Sequence, residues 1–310
     1  MAPIAPIILA WLAPATALHI AITGSSQGIG LSAAKRLVEA GHTVYHANRN
    51  EERSEAACLG AGGGIPMVCD LSNLRSVRRF ADELRRSAPS LDVLCLNAAV
   101  APSTKSTLAE RTSDGFEECI GVNHIAHFLL AQLLKPHLCS NGGTGRICVT
   151  ASSVHDPEQP GGAVGGKGGA TLGDLSGLGA IAGESDAVMI DGACEYDGSK
   201  VYKDSKLANV LFCREAHRRW AADGISIRSF NPGFSMRPLH TQEGWLPSRR
   251  VLACRAPTHH VPTRCSQFHP RGFSVRRVRT TGLVRRRLRS LRVSQGLLCQ
   301  SMWAASGWHS

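Results

Sequence analysis

The stretch Thr23-Gly24-Ser25-Ser26-Gln27-Gly28-Ile29-Gly30 decides the reading of this chain. A short apolar run, residues 17–23, leads into it, and an amphipathic segment, residues 29–40, leads out and stops at Gly41. That is strand, glycine turn, helix. Gly24 permits the tight turn, while Gly28 and Gly30 let backbone and ligand approach closely. The helix N-terminus then presents unpaired N–H groups and the positive end of a dipole to a pyrophosphate. Glycine spacing by itself is common; its place between a strand and a helix makes it a dinucleotide-binding signature. Gly24, Ser25, Ser26, Gly28, Ile29 and Gly30 are therefore candidate cofactor contacts.

The same alternation continues outward. Residues 43–47, 64–69, 91–96, 146–150 and 225–230 read as further strands, and residues 75–87, 116–138 and 202–222 as helices. Regular β-α alternation predicts a parallel sheet with helices on both faces, a Rossmann-type doubly wound α/β domain over residues 18–235. Two stretches break the rhythm. Residues 154–199, rich in Gly and acids, read as an insertion near the substrate site, and residues 236–310 abandon the pattern.

Net charge locates the anomaly. The chain carries +11 over 310 residues, but residues 236–310 hold 14 Arg, no Lys and the single acid Glu243. The remainder is slightly acidic, so nucleic-acid binding is not expected of the folded body. No aromatics interleave the Arg clusters at 276–279 and 285–289, and an irregular or disordered tail is the reading. The abrupt change inside an otherwise consistent fold points to a shifted reading frame or misplaced intron boundary. The first 23 residues lack any Asp, Glu, Lys or Arg. Prolines at 3, 6 and 14 interrupt them, so residues 1–17 read as an apolar leader and not a membrane span. The 11 cysteines include no CxxC pair, which argues against a zinc site or a disulfide framework and for a reducing compartment.

Chemistry gathers at strand ends. After the second strand stands Arg49, where an acid would bind the ribose 2′-hydroxyl of NADH; an Arg suits a 2′-phosphate, so NADPH is expected. Asp70 and Leu71 close the third strand, and Asn97-Ala98-Ala99 close the fourth. Tyr202 and Lys206 lie four apart on one helix face. An ammonium there is expected to lower the phenol's pKa from its usual ~10 and make it a general acid. Tyr196 and Lys200 repeat the spacing and rank second, within the insertion loop. Ser152, with Ser153 behind it, is expected to hydrogen-bond a substrate oxygen, and Asn123 to anchor Lys206 through water. His124 and His127 lack a third ligand and read as packing or substrate-lining residues, with no metal expected.

Together, Thr23 to Gly30, Asn97 to Ala99, Asn123, Ser152 and Tyr202 to Lys206 resemble the short-chain dehydrogenase/reductase family. Residues 115–130 (GFEECIGVNHIAHFLL), 170–178 (ATLGDLSGL), 189–192 (MIDG) and 202–206 (YKDSK) are similar to the protochlorophyllide oxidoreductases within it. That resemblance implies light-dependent hydride transfer from NADPH to a ring double bond of a tetrapyrrole, with Tyr202 as proton donor. It implies Tyr202, Lys206, Pro232 and Gly233 as further cofactor contacts, and a plastid location. Phe234 stands where those enzymes carry a cysteine, and residues 236–310 offer no counterpart to their last strand and capping helices. Other readings of the same residues are a cytoplasmic, light-independent carbonyl reductase or alcohol dehydrogenase on a lipid-like substrate, and a non-catalytic NADPH-binding protein. Peripheral membrane association and a homo-oligomer are compatible with each.

Overall fold

Six parallel strands form one sheet in the order β3-β2-β1-β4-β5-β6. The computed structural model describes residues 17–233 except 141, 143–144, 164–167 and 179–185. The leader up to residue 16, Phe234 and the basic segment 236–310 lie outside the described residues. The strands are β1 His19–Thr23, β2 Thr43–Asn48, β3 Ile65–Val68, β4 Val93–Leu96, β5 Arg146–Thr150 and β6 Ser226–Phe230. The helices are α1 Gly28–Glu39, α2 Glu51–Ala61, α3 Leu74–Ser87, α4 Ala126–Cys139 and α5 Gly198–Trp220. The order reverses between β1 and β4, and ligands of such sheets bind at the strands' carboxyl ends beside that switch.

Both faces of the sheet are covered. On one, Val77, Phe80 and Leu84 of α3, Leu130 and Leu134 of α4, and Phe212 and Trp220 of α5 pack on Ala21, Leu94 and Ile147. On the other, Ile20, Ile22 and Val44 meet Ala34 of α1 and Ala61 of α2. Caps set the helix starts: Asn50, Asn73 and Asp197 accept from first-turn N–H groups of α2, α3 and α5.

Three differences from the sequence pattern have physical reasons. Helix α2 has no apolar stripe to betray it. Its buried side chains, Ser54, Ala57 and Ala61, are small, while Leu59 is exposed. The helix read over 116–138 is interrupted: a single turn, Glu118–Ile120, passes into a π turn, Gly121–Ile125, before α4 begins. Such wide turns often mark functional positions, and this one carries Asn123. Finally, α5 opens at Gly198, four residues before Tyr202, because Asp197 caps it there.

Trp220 closes α5 at 1% exposure, edge-on to Phe212 and beneath the Lys135 ammonium. Trp220→Ala is expected to cost about 3–5 kcal/mol, read as a lower denaturant midpoint in chemical unfolding.

Candidate active site

The carboxyl ends of β1 and β4 are bound together by the Thr23 hydroxyl. It accepts from the N–H groups of Asn97 (2.9 Å) and Ala98 (3.1 Å) and faces His127 Nε2 at 2.9 Å. The Asn123 carbonyl, 3.1 Å from His127 Nδ1, can only accept. Nδ1 therefore carries the ring proton, and Thr23 donates to Nε2. Gly24 sits at φ +67°, and a Cβ there would lie 2.8 Å from Ala98 Cα; one on Gly30 would lie 2.3 Å from the Gly24 carbonyl oxygen. These two glycines serve close packing. A Cβ on Gly28 would meet nothing within 4 Å, so that glycine faces open space, beside exposed Ile29.

A nicotinamide dinucleotide fits this cradle. α1 alone among α1, α2, α3 and α5 lacks a side-chain cap, and its first turn holds no acid. Its leading N–H groups are thus left for an anion. Ser26 gives its N–H to Asn48 Oδ1 at 3.2 Å. Ser25 is fully buried, with its hydroxyl bonded to His46 Nδ1 and Asn48 Nδ2, so its side chain braces the loop and does not face a ligand. The Asn97 amide is likewise spent, on the Thr23 and Gly24 carbonyls and the Thr150 hydroxyl. Arg49 is exposed just past β2. Asp70 accepts from the N–H and hydroxyl of Ser72, and Leu71 is buried beside it. Ala98 and Ala99 line the end of β4, and Pro232 and Gly233 follow β6 in exposed positions.

Tyr202 and Lys206 share one face of α5, with the Lys206 ammonium 5.4 Å from the phenol ring centre. Lys206 is buried and donates to the Thr150 carbonyl at 3.1 Å, which ties α5 to the end of β5. Ser152, two residues beyond Thr150, accepts from Val154 N–H at 3.4 Å. Asn123, expected to anchor Lys206 through water, commits its side chain elsewhere. Its amide clamps Val100 by both backbone groups, at 2.8 and 2.9 Å, and donates to Ser205 Oγ at 3.1 Å. The strand-β4 exit needs that clamp because its N–H and C=O have left the sheet and require partners.

A family model described as short chain dehydrogenase matches residues 18–165. Protochlorophyllide reductase from Avena sativa is 42% identical over 224 residues, which cover 69% of this chain and 70% of that protein. The chain belongs to the short-chain dehydrogenase family. Protochlorophyllide reductase A, chloroplastic, from Oryza sativa is 41% identical over 222 residues, 69% of this chain and 57% of the relative. The chain thus spans little more than half the rice protein's length. Among solved structures, an uncharacterised protein from Mycobacterium Paratuberculosis aligns with TM-score 0.55 and 32% identity, covering 72% of this chain and 71% of that one. A 3-ketoacyl-(acyl-carrier-protein) reductase from Brucella melitensis complexed with NADH shares the fold, at TM-score 0.51 and 20% identity over 69% of this chain and 74% of that one.

In this short-chain dehydrogenase the YKDSK segment divides by helix face. Lys203, between Tyr202 and the insertion, donates to the carbonyls of Gly162 (2.8 Å) and Gly168 (3.0 Å). Asp204 accepts from Thr171 N–H at 2.9 Å and pairs with Lys200, which also holds Asp191 at 3.0 Å. Ser205 meets Asn123. The insertion is therefore pinned to the helix that carries Tyr202. Its Leu172, Leu175 and Ile190 pack on Ile120, Ile125 and Leu211, and Met189, Cys119 and Val201 make an apolar wall against which Tyr202 rests. Lys203, Asp204 and Thr23 escaped notice in the sequence, although all three stand inside the quoted motifs.

The competing Tyr196–Lys200 pair has other work. Tyr196 precedes α5 and donates to the buried carboxylate of Glu117 at 3.0 Å, while Lys200 is committed to Asp191 and Asp204. His124 and His127 are buried, and desolvation pushes both down to about 4, so they stay neutral packing groups. Among the described residues no group of three His, Cys, Asp or Glu is placed to hold a metal ion.

Burial also corrects the expected sign at Tyr202. Desolvation pushes the phenol up to about 12 instead of the ammonium drawing it down, and pushes Lys206 down to about 8. A charged group in low dielectric costs more than a partner 5.4 Å from the ring centre returns. Since Lys206 binds its proton less tightly folded than unfolded, its charge destabilises the fold below pH 8. That cost is relieved as pH rises from about 8 to the ordinary lysine value of 10.5. Unfolding of wild type and Lys206→Met at pH 7 and pH 10 is expected to show wild type gaining stability relative to the variant at the higher pH.

Proposed function

We propose that this chain is an NADPH-dependent reductase of the protochlorophyllide type, acting in a plastid. One observation carries the reading. Lys206, on one face of α5 with Tyr202, bonds the Thr150 carbonyl at the end of β5, two residues before Ser152, and α1 opens without a side-chain cap. The pigment substrate and the location are argued from the 41–42% identity to reductases named for that pigment and, in rice, for the chloroplast. The apolar wall of the insertion suits a flat, hydrophobic tetrapyrrole better than a small polar carbonyl compound.

NADPH, when bound, supplies the hydride. The leading N–H groups of α1 over Gly28 would hold its pyrophosphate, and exposed Arg49 would meet the 2′-phosphate by charge-assisted hydrogen bonds. Tyr202 stays protonated at neutral pH because burial disfavours its phenolate, so Oη has a proton to give to the substrate. Lys206, oriented by the Thr150 carbonyl, stabilises negative charge as it forms on that oxygen. Ser152 Oγ accepts from Val154 N–H, which leaves its own proton for a substrate oxygen. Asn123 positions the strand-β4 exit, and Lys203 and Asp204 hold the insertion wall.

The deciding assay follows pigment absorbance with NADPH and protochlorophyllide, illuminated and dark. Turnover is expected in the light alone, with Tyr202→Phe slower by about 10²–10⁴-fold. Equal rates in the dark would replace the proposal with a light-independent reductase. NADPH binding with no turnover would reduce it to a cofactor-binding protein. In parallel, Arg49→Ala is expected to lower the preference for NADPH over NADH by about tenfold or more, measured by cofactor fluorescence titration.

A further inference from the structure

Cys95 of β4 and Cys148 of β5 are directly opposite in the parallel register. Opposite residues of neighbouring strands point to the same face about 4.7–4.9 Å apart, inside the Cα separation that disulfides span. Both thiols are only half-buried. Arg228 of β6 is the register partner of Cys148 on its other side, and Arg146 precedes Cys148 by two residues, so both guanidinium groups leave the sheet on that same face. We propose that Cys95 and Cys148 form a redox-active dithiol that low-molecular-weight disulfides oxidise to a cross-strand bridge.

The chemistry is thiol–disulfide exchange. The Cys148 thiolate attacks a glutathione disulfide sulfur, forms a mixed disulfide and expels one glutathione thiolate. Cys95 then loses its proton to solvent or to that thiolate and attacks the Cys148 sulfur, expelling the second glutathione. Two protein thiols are oxidised and one glutathione disulfide is reduced to two thiols. The order follows from surroundings. Cys148, drawn down beside its thiol partner and the two guanidiniums, is the attacking thiolate; Cys95 is pushed up and keeps its proton. Cysteines that merely fill space look different here: Cys69 and Cys213 are buried, and burial pushes both upward. The bridge would lie two residues before Asn97 and Thr150, whose side chains bond across the same two strands at 3.3 Å.

The test uses the full chain equilibrated in glutathione redox buffers, with free thiols blocked by iodoacetamide and peptides mapped by mass spectrometry. Cys95 and Cys148 are expected to lose alkylation together at one poise and to yield a linked peptide pair that dithiothreitol releases. In the reduced protein at pH 7, Cys148 is expected to alkylate at least about tenfold faster than Cys69 or Cys213. Cys95→Val should stop Cys148 at the glutathione mixed disulfide, and Cys148→Ser should leave Cys95 reduced. Glutathione remaining on wild-type Cys148 beside an alkylatable Cys95 overturns the proposal, as does a bridge from either residue to another cysteine. None of these readouts depends on NADPH or on substrate.

Discussion

A single hydroxyl group, that of Thr23, holds the cofactor end of the sheet in one piece. Two N–H groups from the exit of β4 converge on it, and its own proton is taken by a histidine from α4. Strand ends are where backbone groups run out of ladder partners, and a buried N–H without one costs about 1–3 kcal/mol. By satisfying two of them, Thr23 lets Ala98 seat against Gly24, and that contact in turn leaves no room for a side chain at Gly24 or Gly30. The glycine loop thus owes its shape to a neighbouring strand as much as to its own conformational freedom.

The second organising constraint is burial along α5. Lys203, Asp204 and Lys206 are all withdrawn from water, and each is matched to a named acceptor or donor. Buried charge is tolerated only with such partners. The insertion supplies Gly162 and Gly168 to Lys203 and Thr171 to Asp204, while β5 supplies Thr150 to Lys206. One helix therefore anchors the insertion and carries Tyr202, which fixes the two relative to each other. The same low dielectric that demands these pairings sets the protonation states, leaving the phenol protonated and the lysine close to titration at neutral pH.

The Cys95–Cys148 pair belongs to a different logic. Its members sit on the α1–α2 face, where Cys95 borders the Ile20–Ile22 cluster, and not on the face that meets α3, α4 and α5. Registration of the sheet, set by the apolar alternation of its central strands, brings together two cysteines separated by 52 residues of sequence. Neither is part of the glycine loop or of the Tyr202 cluster.

Fold class, strand positions and the glycine loop were legible in the sequence because they rest on local rules: apolar runs of strand length, a glycine where the turn needs one, and alternation with amphipathic helices. That Tyr202 and Lys206 share a helix face, and that Ser152 follows β5, was legible from spacing and from the strand pattern. Helix α2 was not, since small buried residues leave no hydrophobic period. Nor was the π turn at Asn123, whose carbonyl finds partners in His127 and in Asn209, 86 residues away. The sequence by itself determined which residue types stand at the strand ends, because turns and caps are short-range choices. Only tertiary structure decided what those residues do: that Asn123 clamps Val100, that Ser25 braces, that Tyr196 serves Glu117, and that burial raises the Tyr202 phenol. Hydrogen-bond partners and local dielectric are properties of the packed neighbourhood, and that neighbourhood is assembled from segments far apart in the chain.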